Sequence, residues 1–143
     1  MIENNIFYIG VGRCKRATAT LFLKEGTGNF KINRKNSKKK SSGMLINDYF
    51  YMNSFLCDEI FLPLKIFNKE KNFDFKVRVK GGGFSSQSLA IRLALSSAIL
   101  KIFPEYRSTL KSFSLLNKNI KKKKERKKIG LKKARKAPQF SKR

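Results

Sequence analysis

The segment Phe73–Phe103, FDFKVRVKGGGFSSQSLAIRLALSSAILKIF, decides the fold that the sequence predicts. Between Phe73 and Val79, apolar residues alternate with polar or charged ones, which is the pattern of a strand with one buried and one mostly cationic face. The glycines Gly81–Gly83 then predict a sharp turn. Ser85 or Ser86 is a candidate cap for a helix that begins after this turn.

This helix is expected to run to about Phe103, because Pro104 cannot continue it. Small residues that would allow close packing on a sheet are Ala90, Ala94, Ser97 and Ala98. Larger apolar residues recur near helical spacing at Leu89, Leu93, Ile99 and Ile102. A further short helix is predicted over Glu105–Ser112.

Upstream of this segment, Ala17–Leu23 is rich in strand-forming residues, and its alternate residues would share one face. The preceding Gly10-Val11-Gly12 breaks the apolar pattern before that strand. A turn over Glu25–Gly28 and a returning strand over Asn29–Asn33 together predict a hairpin.

The middle of the chain begins with a basic, serine-rich stretch at Arg34–Gly43, which predicts a flexible loop. Apolar and aromatic residues follow, and they predict short helices near Ile46–Tyr51 and Asn53–Phe61. Pro63 is expected to end this region, and Leu64–Asn68 would be a short strand or a loop.

The chain carries 34 Lys and Arg against nine acids in 143 residues, a formal charge of +25. This length suggests one domain, and this charge calls for a polyanionic partner. With no histidine and no CxxC pair, a zinc site and a His general base are excluded. Cys14 and Cys57 are expected to be thiols, although a disulfide between them is compatible with the sequence. The nine carboxylates are scattered and predict neither an acid/base pair nor a metal cluster.

The basic charge is concentrated in the tail, which we define as Lys118–Arg143, where fourteen Lys or Arg and one acid give +13. The tail has few apolar residues and no sustained period, so it cannot offset the entropy of ordering. We therefore expect a folded body at residues 1–117 and a tail at residues 118–143 that becomes ordered against a polyanion. Fully extended, the tail would span on the order of 80–90 Å.

Two glycine motifs suggest phosphate binding with different strength. Gly10-Val11-Gly12 resembles the start of a dinucleotide fingerprint, but Lys15 stands where the third glycine would be. The glycine turn at Gly81–Gly83 could cradle a phosphate of RNA between Lys80 and Arg92, or it could be only a tight connection. It lacks the lysine of a Walker loop, which argues against nucleotide hydrolysis.

Three blocks of the chain resemble the family of the universal small-subunit ribosomal protein nine, of the bacterial and organellar type. Tyr8–Lys15 (YIGVGRCK) is similar to the family's Y-x-G-T-G-R-R-K, with Val11 and Cys14 in place of Thr and Arg. Val79–Arg92 (VKGGGFSSQSLAIR) is similar to its V-K-G-G-G-x-S-G-Q block followed by A-I-R. Glu125–Arg143 (ERKKIGLKKARKAPQFSKR) resembles its terminal signature almost residue for residue.

The resemblance implies an α/β fold, an α+β sandwich in which helices pack on a mixed four-stranded sheet, similar to the second domain of ribosomal protein S five. A long, extended, basic C-terminal tail would leave this body. The implied protein is a structural constituent of the small ribosomal subunit, without catalytic residues, metal or cofactor. Its implied partners are rRNA of the subunit head, neighbouring head proteins and the tRNA in the peptidyl site, with no membrane and no small-molecule substrate.

The matching positions imply three sets of contacts. Body residues expected to contact rRNA are Arg13, Lys15, Arg16, Lys80, Gly81, Gly82, Gly83, Ser85, Gln87 and Arg92. Tail residues expected to contact rRNA are Arg126, Lys127, Lys128, Lys132, Lys133, Arg135 and Lys136. The expected contacts with tRNA are Gln139, Phe140, Ser141, Lys142 and Arg143.

Three rival functions are weaker. A nonspecific DNA-compacting protein would bind any duplex with similar affinity, whereas a ribosomal protein would co-sediment with small subunits. An enzyme lacks support because histidine, a Walker lysine and paired carboxylates are missing. Membrane-surface binding is disfavoured because Lys121–Lys136 has no large apolar face. The AT-rich type of composition and the absence of a presequence favour an organelle, a plastid before a mitochondrion, with a bacterium as the alternative.

Overall fold

A computed structural model of the protein describes residues 6–34, 43–68, 72–116 and 125–142. The strands are β1 (Tyr8–Cys14), β2 (Ala17–Glu25), β3 (Phe30–Arg34), β4 (Met44–Leu45) and β5 (Phe73–Lys80). The helices are α1 (Ile46–Tyr49), α2 (Ser54–Ile66), α3 (Phe84–Ile102) and α4 (Arg107–Ser112), with a 3₁₀ turn at Pro104–Tyr106 before α4. The loop predicted over Arg34–Gly43 lies, apart from its two end residues, outside the described residues.

The strands form one mixed sheet in the order β1-β2-β5-β3-β4. The pairs β1–β2, β2–β5 and β3–β4 are antiparallel, whereas β3 and β5 run parallel. The α/β class and the mixed sheet packed by helices are therefore confirmed. The described residues contain five strands, one more than expected. The additional strand is the two-residue β4, which pairs with Lys31 and Ile32 of β3 at the sheet edge.

Strand β5 lies at the centre of the sheet, and its burial follows the predicted alternation. Phe73, Phe75, Val77 and Val79 are buried, and the residues between them face the other side of the sheet. The inward residues of β2 follow the same rule, since Ala19, Leu21 and Leu23 are fully buried. Their burial against α2 and α3 supplies most of the apolar core.

The predicted hairpin of β2 and β3 is wrong, because β5 lies between these two strands. The turn that joins them is bound from outside by Asp74 of β5. The Asp74 carboxylate accepts hydrogen bonds from the backbone N–H groups of Thr27, Gly28 and Asn29 at 3.0, 2.9 and 2.7 Å. A local turn signal cannot reveal a strand that enters the sheet more than forty residues later.

The true hairpin is β1–β2, and its first strand contains the glycines that were expected to break it. A Cβ atom on Gly10 would lie 2.0 Å from the carbonyl oxygen of Ala94, and one on Gly12 would lie 2.0 Å from that of Ala90. Helix α3 thus packs directly on the backbone of β1. The glycines serve close packing between helix and strand, not a break in the chain.

Helix α3 begins at Phe84 with Gly83 as its N-cap, so neither Ser85 nor Ser86 caps it. The predicted small residues Ala90, Ala94 and Ala98 are buried, as close packing requires. The larger buried side chains are Ile91, Leu95 and Ile99, whereas Leu89, Leu93 and Ile102 are only half-buried. The buried stripe therefore follows the alanines, because the helix rests on its small face.

Helix α2 extends to Ile66, which corrects the expectation that Pro63 ends the helical region. Pro63 lacks the N–H that would bond to the preceding turn, a cost of about 3 kcal/mol in a helix interior. Its own side chain and that of Leu64 are buried against the core. The burial of these two residues offsets the missing hydrogen bond and keeps the segment Leu64–Ile66 helical, not extended.

Candidate nucleic-acid interface

The β1–β2 turn and the glycine turn, Gly81–Gly83, lie side by side at one end of the sheet. Thr18 of β2 pairs with Lys80 of β5, so the turn that precedes Thr18 lies beside the turn that follows Lys80. A Cβ on Gly81 would lie 2.6 Å from the carbonyl oxygen of Arg16, and one on Gly82 would lie 2.8 Å from the Cβ of Ala17. The two blocks that sequence reasoning identified separately therefore form one surface.

This surface, which we call the twin-turn surface, carries exposed cations and backbone N–H groups. The side chains of Arg13, Lys15, Arg16 and Lys80 are all exposed there. Gly81 and Gly82 have φ values of 74° and 70°, a left-handed backbone conformation that is unfavourable for residues other than glycine. Gly83 then caps the nineteen-residue α3, whose first N–H groups favour anions.

Gln87 braces the twin-turn surface from inside the body. Its side-chain amide donates to the carbonyl oxygens of Gly81 and Gly82 at 3.0 and 3.3 Å. Its Oε1 accepts a hydrogen bond from the hydroxyl of Tyr49 at 2.8 Å, and the residue is only 5% exposed. These bonds give Gln87 a role in holding the glycine turn, whereas Ser85 beside it is exposed.

Arg92 differs from the exposed cations, because it is partly buried and paired within the body. Its Nη1 makes an ion pair of 2.9 Å with Glu59 of α2, and its side chain is 19% exposed. Its Nε is buried and has no hydrogen-bond partner among the described residues. The ion pair of Arg92 with Glu59 thus links α3 to α2.

The face of the sheet opposite the helices also carries exposed cations, which were not among the residues expected to contact rRNA. Lys31, Lys76 and Arg78 are exposed on this face. The guanidinium of Arg78 lies over the ring of Phe22, 5.3 Å from its centroid, in cation–π geometry. The alternation of β5 had indicated a cationic face, but only the register shows that Phe22 and Lys76 are directly paired.

The described tail residues, 125–142, contain no helix or strand. All seven cations expected to contact rRNA are exposed: Arg126, Lys127, Lys128, Lys132, Lys133, Arg135 and Lys136. Arg135 Nε donates to Glu125 Oε2 at 2.9 Å, and the N–H of Lys132 donates to the carbonyl of Lys136 at 2.7 Å. These residues form local turns, so an extended tail that reaches a distant site stays a prediction.

At the end of the tail, Phe140 is fully exposed. The amide nitrogen of Gln139 donates to the carbonyl of Ser141 at 2.8 Å, and Lys142 is exposed. Arg143 lies outside the described residues. The exposed ring and ammonium are available to a partner, and their contact with tRNA stays a prediction.

Other kinds of site find no support in the described part of the chain. No group of three or more metal-ligating side chains occurs within it. Cys14 and Cys57 are both free thiols, and burial together with the nearby Asp58 carboxylate raises the pKa of Cys57. Among the described helices, none has the length and apolar character needed to cross a bilayer.

Comparison with known proteins identifies the family. The model of the family "Ribosomal protein S9/S16" matches residues 12–143. The small ribosomal subunit protein uS9 of Mycoplasma mobile is 40% identical over 140 residues, 98% of this chain and 99% of that protein. Protein uS9 of Thermotoga petrophila is 42% identical over 138 residues, covering 96% and 97% of the two chains.

A protein named uS9c from Chlorella vulgaris is 42% identical over 132 residues, 92% of this chain and 90% of that protein. The matched region spans the twin-turn surface, strands β2 to β5 and the tail. The chain therefore belongs to the ribosomal protein S9 family, which consists of structural proteins and not of enzymes.

Proposed function

We propose that this protein is a structural component of the small ribosomal subunit that binds rRNA through the twin-turn surface and its tail. The observation that carries this proposal is the juxtaposition of the two turns. Four exposed cations surround paired glycines and a helix N-terminus, and each of these features favours phosphate oxygens. Membership in the family and the names of the relatives support the ribosomal part of the proposal.

The contacts with rRNA would act mainly through neutralisation of phosphate charge. Each Lys or Arg that meets a phosphate releases condensed counterions, so affinity falls as salt rises. The glycine turn would position the RNA backbone close to the chain, because no side chain intervenes. Gln87 would act as a positioning residue, since its bonds hold the turn instead of reaching outward.

The double variant Arg16→Ala/Lys80→Ala tests this surface. We expect its affinity for small-subunit rRNA to fall about tenfold near 0.15 M salt, and its salt dependence to lose about two counterions. The matched control is Lys101→Ala/Lys111→Ala, which removes the same charge from exposed positions on α3 and α4. Equal affinities of the two variants would show that the turns form only a tight connection.

We further propose that Gln139–Arg143 contact the tRNA in the peptidyl site. The exposed Phe140 can stack, and a terminal guanidinium can form a charge-assisted bond with a phosphate. Deleting these five residues should weaken the binding of tRNA to purified small subunits while the subunits still assemble. Unchanged tRNA affinity in the truncated subunits would contradict this role.

The compartment we propose is a plastid, on the basis of a composition rich in Lys, Asn, Ile and Phe without Trp. A bacterial ribosome is the alternative, because proteins from mycoplasmas and Thermotoga match at the same 40–42% identity as the one from Chlorella vulgaris. Sequencing the small-subunit rRNA that sediments with the tagged protein distinguishes the two. Bacterial rRNA in that fraction would overturn the plastid assignment.

A further inference from the structure

One surface of the body departs from the basic character of the chain. The segment Gly43–Leu64 contains three acids, Asp48, Asp58 and Glu59, and no Lys or Arg. The whole chain has 34 basic residues in 143, so a cation-free stretch of this length is unusual for it. RNA phosphates are bound through cations and N–H donors, so this segment is poorly suited to them.

The same segment exposes large apolar side chains after α1. Tyr51, Met52 and Phe55 are 79%, 71% and 71% exposed. Phe84 at the start of α3 is 41% exposed, and its ring meets that of Tyr51 edge-on at a centroid distance of 5.5 Å. We call these four residues the apolar patch. Aromatic residues and methionine are enriched in protein–protein interfaces, and contiguous exposed apolar patches mark sites of interaction.

The backbone beneath the apolar patch is strained. The N–H of Tyr51 donates to the carbonyl of Asp48 at 3.2 Å, and that of Met52 donates to Asn47 at 2.9 Å, which is the hydrogen-bond pattern of a Schellman motif. The left-handed residue of this motif is usually glycine. Here Tyr51 and Met52 have φ values of 53° and 57°.

A large side chain at such a position destabilises the fold unless its burial compensates. The ring of Tyr51 obtains little burial, since most of its surface stays in contact with solvent. The stability of the body alone therefore does not account for a tyrosine at this position. A contact with a partner would supply the burial that this tyrosine lacks in the body alone.

We propose that the apolar patch is a docking surface for a neighbouring protein of the small subunit that presents apolar side chains beside a Lys or Arg. The cation of that partner would meet Asp48, which is exposed and makes no ion pair with any described residue. Asp58 and Glu59 are already paired with Lys65 and Arg92. This proposal rests on the proposed function, because it assumes assembly into the subunit.

Unpaired RNA bases are the competing occupant, since they also stack on exposed aromatic rings. Surfaces that bind single-stranded RNA combine such rings with cations along the backbone path. In this chain that combination occurs on the open sheet face, where Arg78 lies over Phe22 beside Lys76. Three of the four residues of the apolar patch, Tyr51, Met52 and Phe55, lie in a segment without cations, so a protein partner fits the patch better.

Photo-crosslinking in reconstituted small subunits tests the proposal directly. The full-length chain carries benzoylphenylalanine at Phe55 in one sample and at Phe22 in the matched control. We expect position 55 to crosslink to a Lys- or Arg-rich peptide of another small-subunit protein, and position 22 to crosslink to rRNA. A crosslink from position 55 to rRNA, or only within the chain itself, would overturn the proposal.

Competition between variants supplies a second readout. The variant Tyr51→Gly/Phe55→Ser is not expected to lower the urea midpoint, because glycine relieves the strain at position 51. Mixed with equal wild-type protein, it should enter subunits about tenfold less often, while its affinity for rRNA alone stays within about twofold. Equal incorporation of the variant and the wild type would overturn the proposed docking surface. The proposed rRNA-binding function is tested separately, by the rRNA affinity of Arg16→Ala/Lys80→Ala.

Discussion

Gly12 illustrates how one residue decides the distance between two elements. A methyl group there would lie 2.0 Å from the carbonyl oxygen of Ala90 and 2.5 Å from the nitrogen of Ala94. Both contacts are with the backbone of α3, which cannot move aside as a flexible side chain does. Gly12→Ala should therefore lower the free energy of unfolding by about 1–3 kcal/mol, measured by urea denaturation.

Gly83→Ala is the matched control for this substitution. A Cβ at Gly83 meets no atom within 4 Å, and its φ of −93° suits any residue. We expect this variant to lower the free energy of unfolding by no more than about 1 kcal/mol, because alanine is a poorer N-cap than glycine but its Cβ meets no other atom. A Gly12→Ala protein as stable as Gly83→Ala would show that α3 does not rest on the backbone of β1.

The protonation state of Asp74 bears on the stability of the sheet, because its carboxylate holds the turn between β2 and β3. Desolvation raises the pKa of its carboxyl, but the N–H groups of Asn29, Thr27 and Gly28 and the Lys24 ammonium outweigh this effect and hold the pKa below its usual value. Its stabilising effect is therefore present above the unfolded pKa of about 3.9 and is lost as pH falls through the lower folded pKa.

Asp74→Asn should consequently lower the free energy of unfolding by about 1–3 kcal/mol at neutral pH, and by less near pH 3. Urea midpoints of the two proteins at both pH values check this convergence. Asp48→Asn is the control, because Asp48 is exposed and makes no ion pair within the described residues. A deficit of the Asp74 variant that did not shrink in acid would contradict the role of its charge.

The burial of single residues could be predicted where it depends on the two-residue alternation of apolar and polar side chains along a strand. The alternation of Phe73–Val79 identified the four buried side chains of β5 correctly, because successive strand residues face opposite sides. The role of Asp74 could not be predicted in the same way. Its three partners lie 45 to 47 residues upstream, and no pattern in the sequence connects them.

At the scale of elements, the errors share one cause, which is that tertiary contacts outweighed local signals. The turn at Glu25–Gly28 has the composition of a hairpin, yet it spans β5. Gly10 and Gly12 have low strand propensity, yet they lie within β1 because α3 needs close approach. Pro63 favours a helix end, yet the core retains the last turn of α2.

The hydrogen bond between Tyr49 and Gln87 links α1 to α3 and, through Gln87, to the glycine turn. A double-mutant cycle with Tyr49→Phe and Gln87→Leu should show a coupling energy of about 1 kcal/mol in urea unfolding. Gln87→Leu should also weaken rRNA binding, because Gly81 loses the donor that holds its carbonyl. Tyr49→Phe leaves that donor in place and should bind rRNA as the wild type does.

Two outcomes of these experiments would contradict the proposal that Gln87, together with Tyr49, holds the glycine turn in place. Additive effects of the two substitutions on unfolding would mean that the hydroxyl and the amide do not depend on each other. Wild-type affinity of Gln87→Leu for rRNA, measured near 0.15 M salt, would mean that the glycine turn needs no support from α3.

At the scale of the whole molecule, different surfaces have different charge. Cations surround the two turns, cover the open sheet face and fill the tail, whereas Gly43–Leu64 has none. The fold class and the family were predictable, because three short blocks carry both. The position of the apolar patch was not, since it depends on the left-handed backbone of Tyr51 and Met52, which composition does not indicate.

The division of the chain into body and tail leads to a prediction about stability. The buried apolar residues run from Ala17 to Leu115, and the described tail residues are exposed or half-buried. A chain that ends at Asn117 should therefore unfold cooperatively, with a free energy of unfolding within about 0.5 kcal/mol of the full-length value at about 0.5 M salt. At low salt it should be the more stable protein, because removing the tail removes a charge of +13 from a body of the same sign.

Urea unfolding of both chains at the two salt concentrations measures this difference. Its dependence on salt is the decisive feature, because screening weakens repulsion between tail and body but leaves apolar burial almost unaffected. A truncated chain that lost its cooperative transition at every salt concentration would show that the tail completes the core. The tail would then owe its structure to the body, and an rRNA partner would no longer be needed to order it.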